Sequence, residues 1–156
     1  KLAYVGDGNN VARSLALAAG RLGIDFAIAS PPQYRLERKF VDRLQKECPQ
    51  LKLIETADPV EAVRGADAVY TDVWTSMGQE EERQERLAAF QNYQINADLV
   101  REAKPDVVVM HCLPAHRGEE ITDEVMDGPN SAIFDQAENR MHLQRALLDW
   151  LLGGTE

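Results

Sequence analysis

Six short runs of apolar and β-branched residues recur along this chain, at 2–5, 26–29, 51–54, 68–70, 107–110 and 132–134, without the polar alternation of a half-exposed strand. A strand can be apolar on both faces only where both are covered, as in a parallel sheet flanked by helices. The segments between the runs carry helical signatures. Asp58 precedes Pro59, with Glu61 in the next turn: a capping side chain, a proline at the first helical position and an acid near the positive helix end. Asn96 can cap residues 97–103, which stop before Pro105. Asp135 and Glu138 have capping-box spacing and predict the start of the last helix, with Met141, Leu147, Leu148 and Leu151 along one side and Gly153-Gly154 at its end. Strand–helix alternation requires right-handed crossovers. The predicted fold is therefore α/β: a doubly wound, mainly parallel sheet with helices on both faces, Rossmann-like. No repeat, low-complexity tract or linker divides the chain, so residues 1–156 read as one domain.

Composition narrows the function classes. With 156 residues, 44% of them hydrophobic, the chain can bury a core and is not intrinsically disordered. Two cysteines, Cys48 and Cys112, do not make a disulfide scaffold. Seventeen basic against 26 acidic residues leave a net charge of −9, the wrong sign for a wholesale nucleic-acid or anionic-membrane binder. No apolar run reaches membrane-span length and no signal peptide is visible. A cytoplasmic location is expected. The chain opens at Lys1 and is immediately strand-like, which suggests a piece of a longer protein.

Ligands of doubly wound sheets sit beyond the carboxyl ends of the strands. After the first run comes Gly6-Asp7-Gly8-Asn9-Asn10-Val11, the opening of a dinucleotide fingerprint whose third glycine is replaced by Val11. The second run ends in Ser30-Pro31-Pro32 rather than in an acid for ribose hydroxyls. A nicotinamide enzyme therefore fails two requirements. What remains is a tight turn bringing two asparagines to a helix start, one as a cap and one spare; a spare amide can donate to a carboxylate and accept from an amine.

The fourth run leads into Asp72, either a backbone cap or a cation anchor, and then into Ser76-Met77-Gly78, a loop able to fold over a ligand or a plain turn. Glu80-Glu81-Glu82 opens a helix in which Glu82 and Arg86 pair one turn apart, read as a solvated face. The fifth run leads into His111-Cys112-Leu113-Pro114. Zinc is disfavoured there because neighbouring His111 and Cys112 cannot easily share one ion and no C-x-x-C pair exists. A cysteine nucleophile with His116 or His142 as base, a thiol that contacts substrate without covalent chemistry, and an inert core cysteine all stay open. Arg140, early in the last helix, is expected to point to the same sheet edge with a planar fork suited to an oxyanion.

Asp7-Gly8-Asn9-Asn10-Val11, Asp72-Val73-Trp74, Ser76-Met77-Gly78-Gln79-Glu80, His111-Cys112-Leu113-Pro114 and Glu138-Asn139-Arg140 occur in that order. Together they closely resemble the C-terminal, ornithine-binding domain of the ornithine carbamoyltransferase family, over essentially the whole chain. The resemblance implies transfer of a carbamoyl group from carbamoyl phosphate to the δ-amine of L-ornithine, giving L-citrulline and phosphate in arginine metabolism. It implies that Asn10, Asp72, Ser76 and Met77 hold the α-amino and α-carboxylate groups, that Cys112 and Leu113 lie beside the δ-amine and carbamoyl group, and that Arg140 reaches the carbamoyl carbonyl. The resemblance assigns Cys112 the proton-accepting role, with two readings open: a thiolate that takes the proton, or a hydrogen-bond partner while phosphate takes it. No metal or organic cofactor is implied. The implied partners are the protein's own N-terminal domain and further copies in a trimer or multiple of trimers; nucleic acid and membrane are not among them.

A free alkyl ammonium titrates near 10.4, so the site must favour the neutral amine and then stabilise an oxyanion. The family's Ser-Thr-Arg-Thr-type phosphate motif is absent from this chain, so the chain alone is expected to be inactive. Competing readings are a carbamoyltransferase for putrescine or N-acetylornithine, a nicotinamide-dependent dehydrogenase domain and a non-catalytic assembly module. The Ser76-Met77-Gly78 loop argues against the first, and the last requires that Asn10, Asp72, Cys112 and Arg140 do not converge.

Overall fold

A computed structural model describes residues 1–75 and 80–153. Five strands, β1 (Leu2–Val5), β2 (Phe26–Ala29), β3 (Leu53–Thr56), β4 (Ala68–Thr71) and β5 (Val108–His111), form one sheet in the order β3-β2-β1-β4-β5. Every pairing is parallel, with Leu2 in register with Phe26 on one side and Ala68 on the other. The helices are α1 (Asn10–Leu22), α2 (Arg38–Glu47), α3 (Pro59–Val63), α4 (Arg83–Phe90), α5 (Ala97–Arg101), α6 (Asp123–Met126) and α7 (Ile133–Leu151). The predicted α/β class holds.

Alternate strand residues divide between two cores, as the two-residue strand period demands. Ala3, Val5, Ala27, Ala29, Val69 and Val109 join one cluster with Trp74, Phe90 and Ile95. Tyr4, Phe26, Ile28 and Tyr70 join the other with Ala12, Ala16, Val41 and Leu44 from α1 and α2. The caps read from sequence form: Asp58 accepts from the Val60 N–H at 2.9 Å, and Asn96 from the Leu99 N–H at 3.0 Å.

Three expectations are corrected. The run at 132–134 is not a sixth strand: Ser131 makes one isolated parallel bridge with Val109, and the chain turns into α7 at Ile133. A three-residue apolar run cannot by itself distinguish strand from buried helix start. In consequence α7 begins ahead of Asp135, which lies in its first turn instead of capping it. The third run is displaced to Leu53–Thr56, whose Ile54 and Glu55 are exposed because β3 is an edge strand with one neighbour.

The strand order places β2 and β3 on one side of β1 and β4 and β5 on the other. The chain therefore leaves β1 and β4 in opposite directions, opening a crevice at their carboxyl ends.

Candidate functional site

Asn9 builds the first wall. Its side-chain oxygen accepts from the Val11 and Ala12 N–H groups at 2.9 and 3.1 Å, capping α1. Its amide nitrogen donates to Asp72 Oδ2 at 3.1 Å. One asparagine thus closes the helix and fixes a carboxylate across the crevice, while Asn10 is left exposed, the division of labour expected from the sequence.

The second glycine of the turn has a different use from the one a dinucleotide would give it. A Cβ at Gly8 would stand 2.5 Å from the Arg35 carbonyl carbon and the Leu36 nitrogen, and Gly8 N–H donates to the Tyr34 carbonyl at 2.8 Å. The chain's own backbone fills the space in which a pyrophosphate would approach that glycine. This removes the dehydrogenase reading.

Asp72 is buried at the end of β4 and lies at the centre of the site. Besides Asn9, its carboxylate accepts from the Val73 N–H at 2.8 Å and from the Cys112 thiol at 2.9 Å. Three donors account for an acid at a buried strand end. Burial pushes the Cys112 thiol up to about 12, and the adjacent Asp72 carboxylate adds to the shift. Cys112 is thus a neutral donor in this arrangement and not a thiolate nucleophile. Tyr70, stacked on Tyr4 with ring centroids 6.1 Å apart, is likewise raised to about 12, by burial and by Cys112.

Beyond Cys112, Leu113 adopts a left-handed backbone with φ 57°, rare for a residue with a side chain. Its N–H donates to His111 Nδ1 at 2.8 Å, and His111 Nε2 lies 3.1 Å from Glu120 Oε1, both side chains fully buried. An Nδ1 that accepts leaves the proton on Nε2, aimed at Glu120. Sequence reading placed His111 after the strand; it is the last residue of β5, which explains its burial.

Asn10, Asp72, Cys112, Leu113, Arg83 and His116 line one pocket of about 510 Å³. Ser76 and Met77 lie outside the described residues. Arg140 does not line this pocket. It is exposed on α7 and borders a separate cavity of about 350 Å³ with Met110, Gln136 and Asn139. Because α7 starts early, Arg140 stands two turns into the helix, about 10 Å along its axis, and not near its opening.

Arg86 corrects the reading of the acidic run as a solvated face. Its side chain is only 6% exposed and pairs with Asp7 at 2.7 Å and Glu82 at 3.0 Å. It also donates to the Trp74 carbonyl at 3.1 Å and lies over the Tyr34 ring. The pair with Glu82 had the right spacing, but nothing in that spacing revealed Asp7 as the deeper partner.

Residues 1–151 match the family described as "Aspartate/ornithine carbamoyltransferase, Asp/Orn binding domain". The chain belongs to this carbamoyltransferase family. It is 57% identical over 150 residues to an ornithine carbamoyltransferase of Geobacillus stearothermophilus, covering 95% of this chain and 48% of the relative. The solved ornithine carbamoyltransferase of Pyrococcus furiosus superposes with a TM-score of 0.90 at 50% identity, over 99% of this chain and 50% of its own. That of Giardia lamblia gives 0.88 at 30% identity, over 100% of this chain and 51% of its own. The chain thus spans about half the length of the carbamoyltransferases it matches. Among the described residues no helix is long and apolar enough to cross a membrane.

Proposed function

We propose that this chain is the ornithine-binding half of an ornithine carbamoyltransferase, which transfers the carbamoyl group of carbamoyl phosphate to the δ-amine of L-ornithine and releases L-citrulline and phosphate. The supporting observation is the Asp72 carboxylate, held by Asn9 and Val73 and joined to the Cys112 thiol at 2.9 Å on the wall of a pocket also lined by Asn10 and Leu113. Asp72 offers a buried negative charge to the α-ammonium, and Asn10 an exposed amide to the α-carboxylate, so the two amines of ornithine are told apart. Ser76 and Met77 complete the α-group contacts on the strength of the family resemblance, which also assigns the carbamoyl oxygen to Arg140.

The thiol positions the amine. With its own proton directed at Asp72, which stays ionised, the sulfur accepts a hydrogen bond from the δ-ammonium, which gives one proton to a phosphate oxygen of carbamoyl phosphate and becomes the neutral nucleophile. The amine nitrogen then bonds to the carbamoyl carbon, the bond to the phosphate oxygen breaks, and phosphate departs with the bonding electrons and takes up the second proton shed by the nitrogen, which leaves the neutral urea group of citrulline. The reaction needs a carbamoyl phosphate site, supplied in this reading by an N-terminal domain of the same protein. Trimeric assembly and a cytoplasmic location belong to the same reading, and the chain alone is inactive.

A substrate panel on the intact enzyme tests this. Citrulline forms from ornithine, putrescine and N-acetylornithine are poor substrates, and Asp72→Asn raises KM for ornithine more than for carbamoyl phosphate. An intact enzyme that makes no citrulline, or a preference for putrescine or N-acetylornithine, refutes it; so does turnover by this chain alone.

A further inference from the structure

At the edge of the pocket, the turn after Pro114 gathers three side chains that the proposed reaction does not use. His116 Nδ1 lies 3.9 Å from Glu119 Oε2 and 4.0 Å from Glu120 Oε2. One ligand atom from each of the three residues falls within 4.8 Å of the others.

The two carboxylates are divided in the same way. Glu119 Oε1 is engaged by the Arg83 guanidinium, which leaves Oε2 toward the imidazole. Glu120 Oε1 accepts from the His116 N–H at 2.6 Å and faces His111 Nε2 at 3.1 Å. Glu120 Oε2 is buried and has no hydrogen-bond partner among the described residues. A fully buried carboxylate with one oxygen doubly engaged and the other unpaired is costly unless a cation faces the bare oxygen.

We infer that His116 Nδ1, Glu119 Oε2 and Glu120 Oε2 form a binding site for a divalent cation of the zinc class. One imidazole and two carboxylates supply a nitrogen and two oxygens, with a total charge of −2 when the imidazole is neutral. Zinc bonds of about 2.0–2.2 Å in a tetrahedron separate neighbouring ligand atoms by about 3.3 Å. The separations to His116 must therefore shorten by roughly 0.6 Å. The His116 side chain, 47% exposed, has room to rotate toward Glu120, whose position is fixed. Water fills the fourth position. Arg83 and His111 orient the ligating carboxylates from behind, as outer hydrogen-bond partners do at metal sites. The site contains no sulfur and does not depend on the carbamoyltransferase reading.

Titration of Zn²⁺ into the full chain, followed by calorimetry, tests the inference. One equivalent binds. His116→Ala and Glu119→Gln each weaken binding by at least the roughly 10–100-fold that losing an outer-shell partner costs. Both side chains reach solvent, so neither variant disturbs the core, as a change at Glu120 would. Cys112→Ser leaves the affinity unchanged, and the Co²⁺ complex shows no sulfur charge-transfer band. The inference is overturned by the absence of saturable binding, by binding that survives both His116→Ala and Glu119→Gln, or by binding lost in Cys112→Ser with a sulfur band in the Co²⁺ spectrum.

Discussion

Cys112 shows how one contact sets the chemistry of a side chain. The unfolded thiol ionises near 8.5, whereas burial and Asp72 hold the folded one up at about 12. The folded state therefore keeps a proton that the unfolded state has lost, so the stability due to protonated Cys112 is complete below the unfolded value and declines as pH rises toward the folded one. In a Cys48→Ala background, alkylation of Cys112 should remain slow until well above pH 8.5. An alkylation midpoint near the ordinary thiol value would show that burial and Asp72 do not keep the proton on the Cys112 sulfur. In the intact enzyme Cys112→Ala should depress turnover far more than carbamoyl phosphate binding, and unchanged turnover would remove Cys112 from the mechanism. Asn9 permits a finer dissection because its two ends do different work. Asn9→Ala loses the cap and the donor to Asp72 and should cost about 0.5–2 kcal/mol in denaturant unfolding. Asn9→Ser keeps a capping oxygen and nearly all of that stability but cannot reach Asp72, so its defect should appear in the KM for ornithine. Equal stability losses in the two variants would mean that the cap is not what Asn9 contributes.

At the scale of elements, α4 is tied to the glycine turn by one buried cation. Arg86 and Asp7 have side chains 6% and 13% exposed, and removing the cation strands the anion. Arg86→Met should cost about 3–5 kcal/mol, and adding Asp7→Asn should recover part of it by removing the stranded charge. Burial already raises the Asp7 carboxyl against the opposing pull of Arg86. Without Arg86 that rise grows, so the deficit of Arg86→Met should shrink as pH falls through the acidic range and Asp7 takes up a proton. Unfolding curves at neutral and acid pH decide this, and a deficit independent of pH would count against it. The same element shows what a sequence can and cannot disclose. Glu82 and Arg86 were legible as a pair because helical neighbours one turn apart are fixed by the helix alone. Which face α4 buries depends on Trp74, Phe90 and Tyr34, which meet only after the sheet forms. Local signals fared better where the physics is local: the caps at Asp58 and Asn96, the tight turn at Gly8, and the interior strands β1, β2 and β4. The start of α7 was misread because Ala132 provides no capping side chain, whereas Asp135 and Glu138 imitate a capping box inside the helix. Asn10, Asp72 and Cys112 were legible because strand ends in a parallel sheet converge on one edge. Arg140 sits on a helix whose cap lies at Ala132, three residues ahead of Asp135, which carries its side chain further along the axis, away from the strand ends.

At the scale of this whole chain, α7 is the element its own fold does not absorb. Its 19 residues extend about 28 Å, and Ile133 at its start is its one fully buried side chain. Leu143, Leu147, Trp150 and Leu151 follow the spacing of a single helical stripe, with exposures of 71%, 50%, 64% and 63%. Leu143 borders the cavity that Met110 also lines, and among the described residues no member of the stripe belongs to either core cluster. A row of large apolar side chains in water favours association, because each contact removes surface at about 25 cal/mol per Å². The chain on its own should therefore self-associate as its concentration rises, and Leu147→Glu with Leu151→Glu should restore the monomer. These positions are already solvated, so the double variant should change unfolding stability by no more than about 0.5 kcal/mol. Sedimentation over a concentration series, paired with denaturant unfolding, separates the effects. Association that persists in the double variant would assign the contact to another surface, and a large loss of stability would mean that α7 packs against the domain along its length.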